Sequence, residues 1–423
     1  MRLLGLLAAM AALAMAVPSQ ASPSERWIES WGTPMPVVPP PRSGGDDAKA
    51  SAAAHPPFVA HPASFADQTI RMIVRTTAGG KRFRLEFANV QQGEAVTFGA
   101  IHAALAGPGG TTLPGSDRVV RFGGGEQLTL FPGARAVSDP VELDLPPLTE
   151  VAVSIYLGRA TPANTVDELG LMPTYIAEGN QVAARTLAKP RLAGSYFWLR
   201  GLAVPAASAG GGTIVALGDS ITQGYATTAG AHRSWPELLA ERLQRDPELA
   251  KWGVVNAGIS GNRVLKMGVG DAAVARFDAD VLTRPGVKWV IVLESINDIN
   301  MSITPGLPAD QAVTADQIIG GLGQLVSRAH ALGIKIAGAT VMATKGLPFY
   351  SAKGEEMRQA VNAWIRRSGR FDAVIDFDAA TRDPGDSLRI RPAIDPGDHV
   401  HPNDEGNALM AAAIDLDIFR SSD

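Results

Sequence analysis

The sequence predicts two domains of different class: a β-rich domain of sandwich or jelly-roll-like type, then an α/β domain with a mostly parallel sheet in three layers. Three observations predict it. From Ser22 to Pro205, short runs alternate apolar with polar residues and no long helical pattern intervenes. From Thr213 onward, continuously apolar strands alternate with helical stretches, as strands buried on both faces require. Between the two lies Ala206-Ala207-Ser208-Ala209-Gly210-Gly211-Gly212, whose small residues bury little and suit a linker. A length of 423 residues, 46% hydrophobic and 19% charged, fits this division and excludes a disordered or collagen-like chain.

At the start, Arg2 precedes the apolar run Leu3 to Val17, and Pro18-Ser19-Gln20-Ala21 supplies small residues at Ser19 and Ala21. This is the pattern of a secretory signal cleaved after Ala21; a run of about 15 residues is short of the roughly 20 that a bilayer span needs. The expected organisation is therefore a signal peptide over 1–21, a β-rich accessory domain over 22–207 and the α/β domain over 208–423. The mature protein is expected outside the cytoplasm, secreted or periplasmic, without stable membrane insertion.

The elements follow in order. Pro34 to Pro62, rich in Pro, Ala and Gly, reads as an irregular loop. Strands are expected at 69–76, 82–87, 119–122, 127–130, 151–157 and 196–204, each alternating in hydrophobicity. In the second domain, strands are expected at 213–217, 253–256, 288–293, 334–340 and 373–377. Helices are expected at 234–250, 315–332, 355–368 and 403–418.

Composition narrows the chemistry. Lys and Arg number 38 against 42 Asp and Glu, so nothing points to nucleic acid or an anionic membrane as partner. The chain has no cysteine, which excludes disulfides, thiolate metal sites and a Cys nucleophile. Gly210-Gly211-Gly212 precedes its strand instead of following it and lacks a following Gly-Lys-Ser/Thr, so a phosphate-binding loop is excluded as well.

In open parallel sheets ligands collect beyond the carboxyl ends of the strands, and four such places carry suitable groups. Gly218-Asp219-Ser220-Ile221-Thr222 follows the first strand; Ser220 reads equally as a helix N-cap or as an exposed nucleophile. Asn256-Ala257-Gly258-Ile259-Ser260-Gly261-Asn262-Arg263 reads as a turn, or as a loop in which Gly261 presents its backbone N–H to an oxyanion. Glu294-Ser295-Ile296-Asn297-Asp298 offers the Asn297 amide for the same oxyanion, or is a turn-forming pair. Asp395 to Asn403 contains His401 as a candidate general base and Asp398 as its orienting carboxylate; a metal site from Asp395, Asp398, His399 and His401 is the rival reading.

Together, in this order, Gly218-Asp219-Ser220, Ile259-Ser260-Gly261, Asn297-Asp298 and Asp398-His399-Val400-His401-Pro402 resemble the sequence blocks of the SGNH, or GDSL, hydrolase superfamily, over about Thr213 to Phe419. The resemblance implies a flavodoxin-like three-layer α/β/α domain and ester hydrolysis without a cofactor. It further implies Ser220 as nucleophile, His401 and Asp398 as the rest of the triad, and the Ser220 N–H, Gly261 N–H and Asn297 Nδ2 as oxyanion hole. Ser295 stands where the family has glycine, and a side chain there is expected to narrow the site or tilt Asn297. The Trp27-Ile28-Glu29-Ser30-Trp31-Gly32 start, the β-rich segment and Glu294 look most like an exported, xylan-esterase-like branch.

The expected partner is a small-molecule or polysaccharide ester, with a short O-acetyl group on a carbohydrate as the leading substrate and a general short-chain carboxylesterase or arylesterase as the runner-up. A non-catalytic glycan-binding protein is the alternative of another class. Trp27, Trp31, Trp198, Trp235, Trp252, Trp289 and Trp364 could include a sugar-stacking platform, but most are expected in the core, Trp235 and Trp289 at helix-start and strand positions where burial is the ordinary outcome. His55, His61, His102, His232 and His330 are assigned no role beyond surface or structural ones.

Overall fold

The computed structural model describes residues 25–36, 60–90, 93–207 and 210–420. The signal-peptide reading, His55, most of the Pro34 to Pro62 loop and positions 208–209 of the linker lie outside the described residues.

The first part of the chain folds into two antiparallel sheets over one apolar core. Its principal strands are β1 (Trp27–Gly32), β2 (Gln68–Arg75), β3 (Gly80–Ala88), β4 (Ala100–Leu105), β5 (Arg118–Val119), β6 (Arg135–Val137), β7 (Val141–Leu145), β8 (Glu150–Leu157), β9 (Thr174–Glu178), β10 (Arg191–Ala193) and β11 (Leu199–Pro205). One sheet runs β1-β11-β3-β7, with β6 also on β3; the other runs β10-β9-β2-β8-β4-β5. Period-two alternation builds the core: Phe83, Leu85 and Phe87 of β3 point inward with Val141, Leu143 and Leu145 of β7, while Glu142 and Asp144 are exposed. The single strand expected at 196–204 is split at Trp198, which adopts φ 54°, into Tyr196–Phe197 and β11. β1, β4, β6, β7, β9 and β10 are not among the strands expected from the sequence.

The second part is a five-stranded parallel sheet of β12 (Gly212–Gly218), β13 (Trp252–Gly258), β14 (Val287–Leu293), β15 (Lys335–Ala339) and β16 (Ala373–Ile375), in the spatial order β13-β12-β14-β15-β16. This is the flavodoxin-like arrangement; its crossovers carry α1 (Ser220–Gln223), α2 (Trp235–Gln244), α3 (Ala273–Phe277), α4 (Ile296–Ile303), α5 (Ala315–Ala331) and α6 (Ala352–Arg367), and α7 (Phe377–Thr381) and α8 (Asp404–Ala412) follow the last strand. All seven residues of β12 are buried, as a central strand covered on both faces requires. Trp235, Trp252 and Trp289 pack in this core, and Trp198 packs in that of the first part.

α2 ends at Gln244 and not at Ala250, because Pro247 cannot supply the N–H that a longer helix needs. The last helix, expected to reach Ile418, stops at Ala412; Asp415 then caps a separate turn of 3-10 helix by accepting from Asp417 N–H.

β1 ties the two parts together. It pairs with β11 on one side, and its Glu29 backbone lies so close to β13 that a side chain on Gly253 would collide with the Glu29 carbonyl. Glu29 N–H donates to Thr213 Oγ1 at 2.8 Å, and the Glu29 carboxylate pairs with Arg284 at 2.8 Å, both side chains being inaccessible to solvent. Arg284 Nη2 also donates to the Thr33 carbonyl at 2.9 Å.

His232 forms a second bridge. Its Nε2 lies 3.0 Å from Glu150 of β8 and its Nδ1 2.7 Å from Glu237 of α2. Two carboxylates on two ring nitrogens demand an N–H at each, hence imidazolium. Burial lowers the His232 pKa, but the Glu150 and Glu237 hydrogen bonds and the Glu237 charge outweigh it and raise the value to about 9. A pKa raised on folding stabilises fully below the unfolded value, and that contribution is lost as pH rises through the folded one. The melting temperature of the protein is therefore expected to fall by a few degrees between about pH 6.5 and 9.5, with His232→Gln flattening this part of the profile. Parallel profiles for the two proteins, measured by calorimetry, would refute the bridge.

Candidate active site

The parallel register brings the candidate residues together. Gly218 is paired with Gly258 and with Leu293, so the loops after β12, β13 and β14 leave the sheet at one level. Gly258 is required there, since a side chain would strike the backbone nitrogen of Gln223 in α1.

Ser220 is the first residue of α1, and the N-cap is Asp219, whose carboxylate accepts from Ile221 N–H at 2.9 Å. The reading of Ser220 as a mere cap is thereby excluded. Ser220 Oγ lies 2.8 Å from His401 Nε2, and His401 Nδ1 lies 2.7 Å from Asp398 Oδ2. Asp398 Oδ1 also accepts the backbone N–H of Val400 at 3.0 Å and of His401 at 2.9 Å, which fixes the loop around the ring. Burial raises the Asp398 pKa, yet the hydrogen bonds and charge of His401 and the Val400 N–H prevail, leaving it below the ordinary carboxylate value. A carboxylate held ionised there is suited to stabilising an imidazolium. The Tyr225 ring covers the His401 ring at 4.2 Å between centroids.

Gly261 adopts φ 75°, a left-handed conformation that glycine takes without penalty. Asn297, expected in a turn or an oxyanion hole, lies in the first turn of α4, where its Nδ2 donates to the Asn262 carbonyl at 2.9 Å. That bond occupies one amide hydrogen and aims the group, leaving the second for another acceptor. Asp298 is buried and accepts from Val264 N–H at 2.6 Å, stitching the same two loops together.

The rival metal reading divides into separate pairs, because Asp395 binds His399 Nδ1 at 2.6 Å while Asp398 binds His401. Among the described residues no group of three or more His, Cys, Asp or Glu is placed to hold a metal ion.

Sequence reasoning missed several supporting residues. Arg276 of α3, buried, donates to the Gly218 carbonyl at 3.0 Å, the Ala257 carbonyl at 2.8 Å and Asn262 Oδ1 at 2.9 Å. Its remoteness from every motif left no signal. Gln223, three residues after Ser220, reaches both Ser260 and Asp167 of the first part, and only the sequence neighbourhood of Ser220 hinted at it. A cavity of about 70 Å³ lies beside Gln223 between the two parts, lined also by Trp31, Asp167, Tyr196 and His232, but not by Ser220 or His401. Trp31 stands edge-on to Tyr196 there, with ring centroids 5.0 Å apart.

Ser295 departs from its expectation. Its side chain is fully buried and offers no surface to the cleft, so it does not narrow the site; its hydroxyl has no hydrogen-bond partner among the described residues. The consequence falls on the backbone, which holds φ 106° at a residue with a Cβ. Ser295→Gly is therefore expected to stabilise the protein by about 1–2 kcal/mol, by relieving this conformation and removing an unpaired hydroxyl. An unchanged or lowered denaturation midpoint would contradict this account.

Comparison with known proteins places these features in context. Residues 216–409 match the model of the GDSL-like lipase/acylhydrolase family. Similar solved structures include a catalytic mutant of an acetylxylan esterase from Geobacillus stearothermophilus, 23% identical, covering 48% of this chain and 91% of that one with a TM-score of 0.39. A GDSL-like lipase from Bacteroides thetaiotaomicron is 20% identical and covers 49% and 87%, with a TM-score of 0.35. An alpha/beta hydrolase from the metagenome of Lake Arreo, Spain, is 22% identical and covers 50% and 96%, with a TM-score of 0.39. None of the curated proteins compared matches the chain. The domain that holds Ser220 and His401 is thus similar to the GDSL-like lipase/acylhydrolase family, and the chain is a serine ester hydrolase.

Proposed function

We propose that this hydrolase is exported and removes short acyl groups, O-acetyl foremost, from carbohydrates through an acyl-Ser220 intermediate. The observation that carries the mechanism is the unbroken hydrogen-bonded run from Ser220 through His401 to Asp398. His401 takes the hydroxyl proton as Ser220 Oγ attacks the ester carbonyl, then delivers it to the departing alcohol. Water attacks the acyl-enzyme in the second half, its proton passing to His401 and then to Ser220 as the acid leaves. Asp398 keeps its charge throughout and orients the ring. The Ser220 and Gly261 N–H groups and the second hydrogen of Asn297 Nδ2 receive the developing oxyanion. The carbohydrate assignment draws on the signal-like N-terminus and on the resemblance of the Trp27 to Gly32 start, the β-rich segment and Glu294 to the xylan-esterase-like branch.

The test is acetate release from p-nitrophenyl acetate and from acetylated xylan, side by side. Ser220→Ala is expected to lower kcat on both by several orders of magnitude. A strong preference for xylan supports the carbohydrate reading, whereas equal or better turnover of the aryl ester replaces it with a general short-chain esterase. A wild type as inert as Ser220→Ala, combined with glycan capture, moves the protein to the binding class. Asn297→Ala is expected to reduce kcat about 10²- to 10³-fold; undiminished turnover would remove Asn297 from the oxyanion hole.

A further inference from the structure

The loop carrying Gly261 is anchored from both domains. On either side of the Ser260-Gly261 peptide the anchors are internal to the hydrolase domain: Ile259 N–H donates to the Gly218 carbonyl at 3.0 Å, and Asn262 is held by Arg276 and Asn297. Ser260 itself is held by Gln223, whose Oε1 accepts the Ser260 N–H at 2.8 Å and the Ser260 hydroxyl at 2.7 Å. The other end of the Gln223 amide donates to Asp167 Oδ1 at 2.7 Å. Asp167 belongs to the β-rich part, in a short ribbon pairing Val166–Asp167 with Tyr196–Phe197.

From this arrangement we infer that Asp167 is a positioning residue for the oxyanion loop, acting through Gln223 and Ser260, so that the β-rich domain is a working part of the esterase site. The inference rests on the esterase reading above. The two ends of a glutamine amide have nearly the same shape, and hydrogen-bond polarity alone selects between them. Burial raises the Asp167 pKa to about 6, so at neutral pH the group is a carboxylate that can only accept; it draws the NH2 end of Gln223 and turns the oxygen toward the Ser260 N–H, which can only donate. Asp167 and Gln223 are both buried, at 3% and 8% exposure, so water does not compete freely for these bonds. Asp167 is in turn fixed by the Leu169 N–H, at 3.2 Å from Oδ1, and by the Thr33 hydroxyl on Oδ2. Thr33 is the residue whose carbonyl Arg284 holds. Gln223 shares the single turn of α1 with Ser220, so the tether spans nucleophile helix and oxyanion loop together.

Conservative replacement separates positioning from bulk stability. Asp167→Asn can keep its oxygen on Leu169 and Gln223 and offer its NH2 to Thr33, so kcat is expected within threefold of wild type. Asp167→Leu loses the acceptor, and kcat is expected to fall about 10- to 100-fold with KM little changed, as a small misplacement of a reacting group costs. Gln223→Met tests the same path from the hydrolase side should Asp167→Leu fail to fold, and combining the two is expected to cost no more than the larger single loss. Hydrogen exchange of the segment containing Ser260 and Gly261 is expected to accelerate in Asp167→Leu and Gln223→Met but not in Asp167→Asn. The inference is overturned if folded Asp167→Leu and Gln223→Met keep kcat within threefold of wild type, if Asp167→Asn falls as far as Asp167→Leu, or if exchange in that segment is unchanged. Should wild type and Ser220→Ala prove equally inert, the esterase reading fails, while the exchange measurement still decides whether Asp167 holds the loop.

Discussion

One buried guanidinium joins the strand ends on which this site is built. Arg276 donates to the last turns of backbone of β12 and β13, to the Asn262 side chain in the loop beyond, and approaches Glu294 after β14 at 3.5 Å. The Gly218 carbonyl accepts both Arg276 and the Ile259 N–H, so the end of β12 is tied to the next loop twice in an interior where buried backbone groups must be paired. A planar donor with five N–H groups satisfies several of them at once, which lysine could not do with the same geometry. With the three loops locked at one level, Ser220, Gly261 and Asn297 inherit their relative positions from the sheet and not from loop flexibility.

That precision has local costs, concentrated in the same few residues. Burial and the nearby carboxylate of Asp219 push the Glu294 pKa well above its usual value, against the pull of Arg276, and neither Glu294 oxygen has a hydrogen-bond partner among the described residues. Asp219 is likewise raised by burial, to about 6, despite the Ile221 N–H and the charge of His401. Ser295 sits beside Glu294 with a left-handed backbone. Such departures are sustained only where the surroundings over-determine the conformation, here by the parallel sheet below and by Asn297 and Asp298 bonding to the neighbouring loop.

The β-rich domain is coupled to the hydrolase domain by contacts more intimate than a flexible tether would leave. Glu29 and Arg284 form an ion pair without solvent access, Val254 N–H donates to Thr77 Oγ1 at 2.9 Å, and Arg200 pairs across the seam with Asp280 at 3.5 Å. A buried charge stripped of its partner is strongly unfavourable, so such pairs make the docked arrangement specific even where they add little net stability. β1 is central to this, since one strand completes a sheet of the sandwich and lies against β13 of the hydrolase domain.

The sequence by itself determined the class of each part and the identity of the chemical groups. Period-two alternation in 82–87 and unbroken apolarity in 213–217 are local properties of the chain, set by whether a strand has one buried face or two. The residues following the apolar strands were legible for the same reason, because a parallel sheet leaves its ligand-facing loops at the strand ends. Strands such as β1, β4 and β9 were not legible, being short and supported by partners distant in sequence, and the split at Trp198 depends on a backbone turn that no hydrophobic pattern records. Nor could any pattern reveal Arg276, Gln223 or Asp167. Hydrogen bonds between residues 37 to 58 positions apart form only when packing has brought those groups together and excluded water, and that decision belongs to the tertiary structure alone.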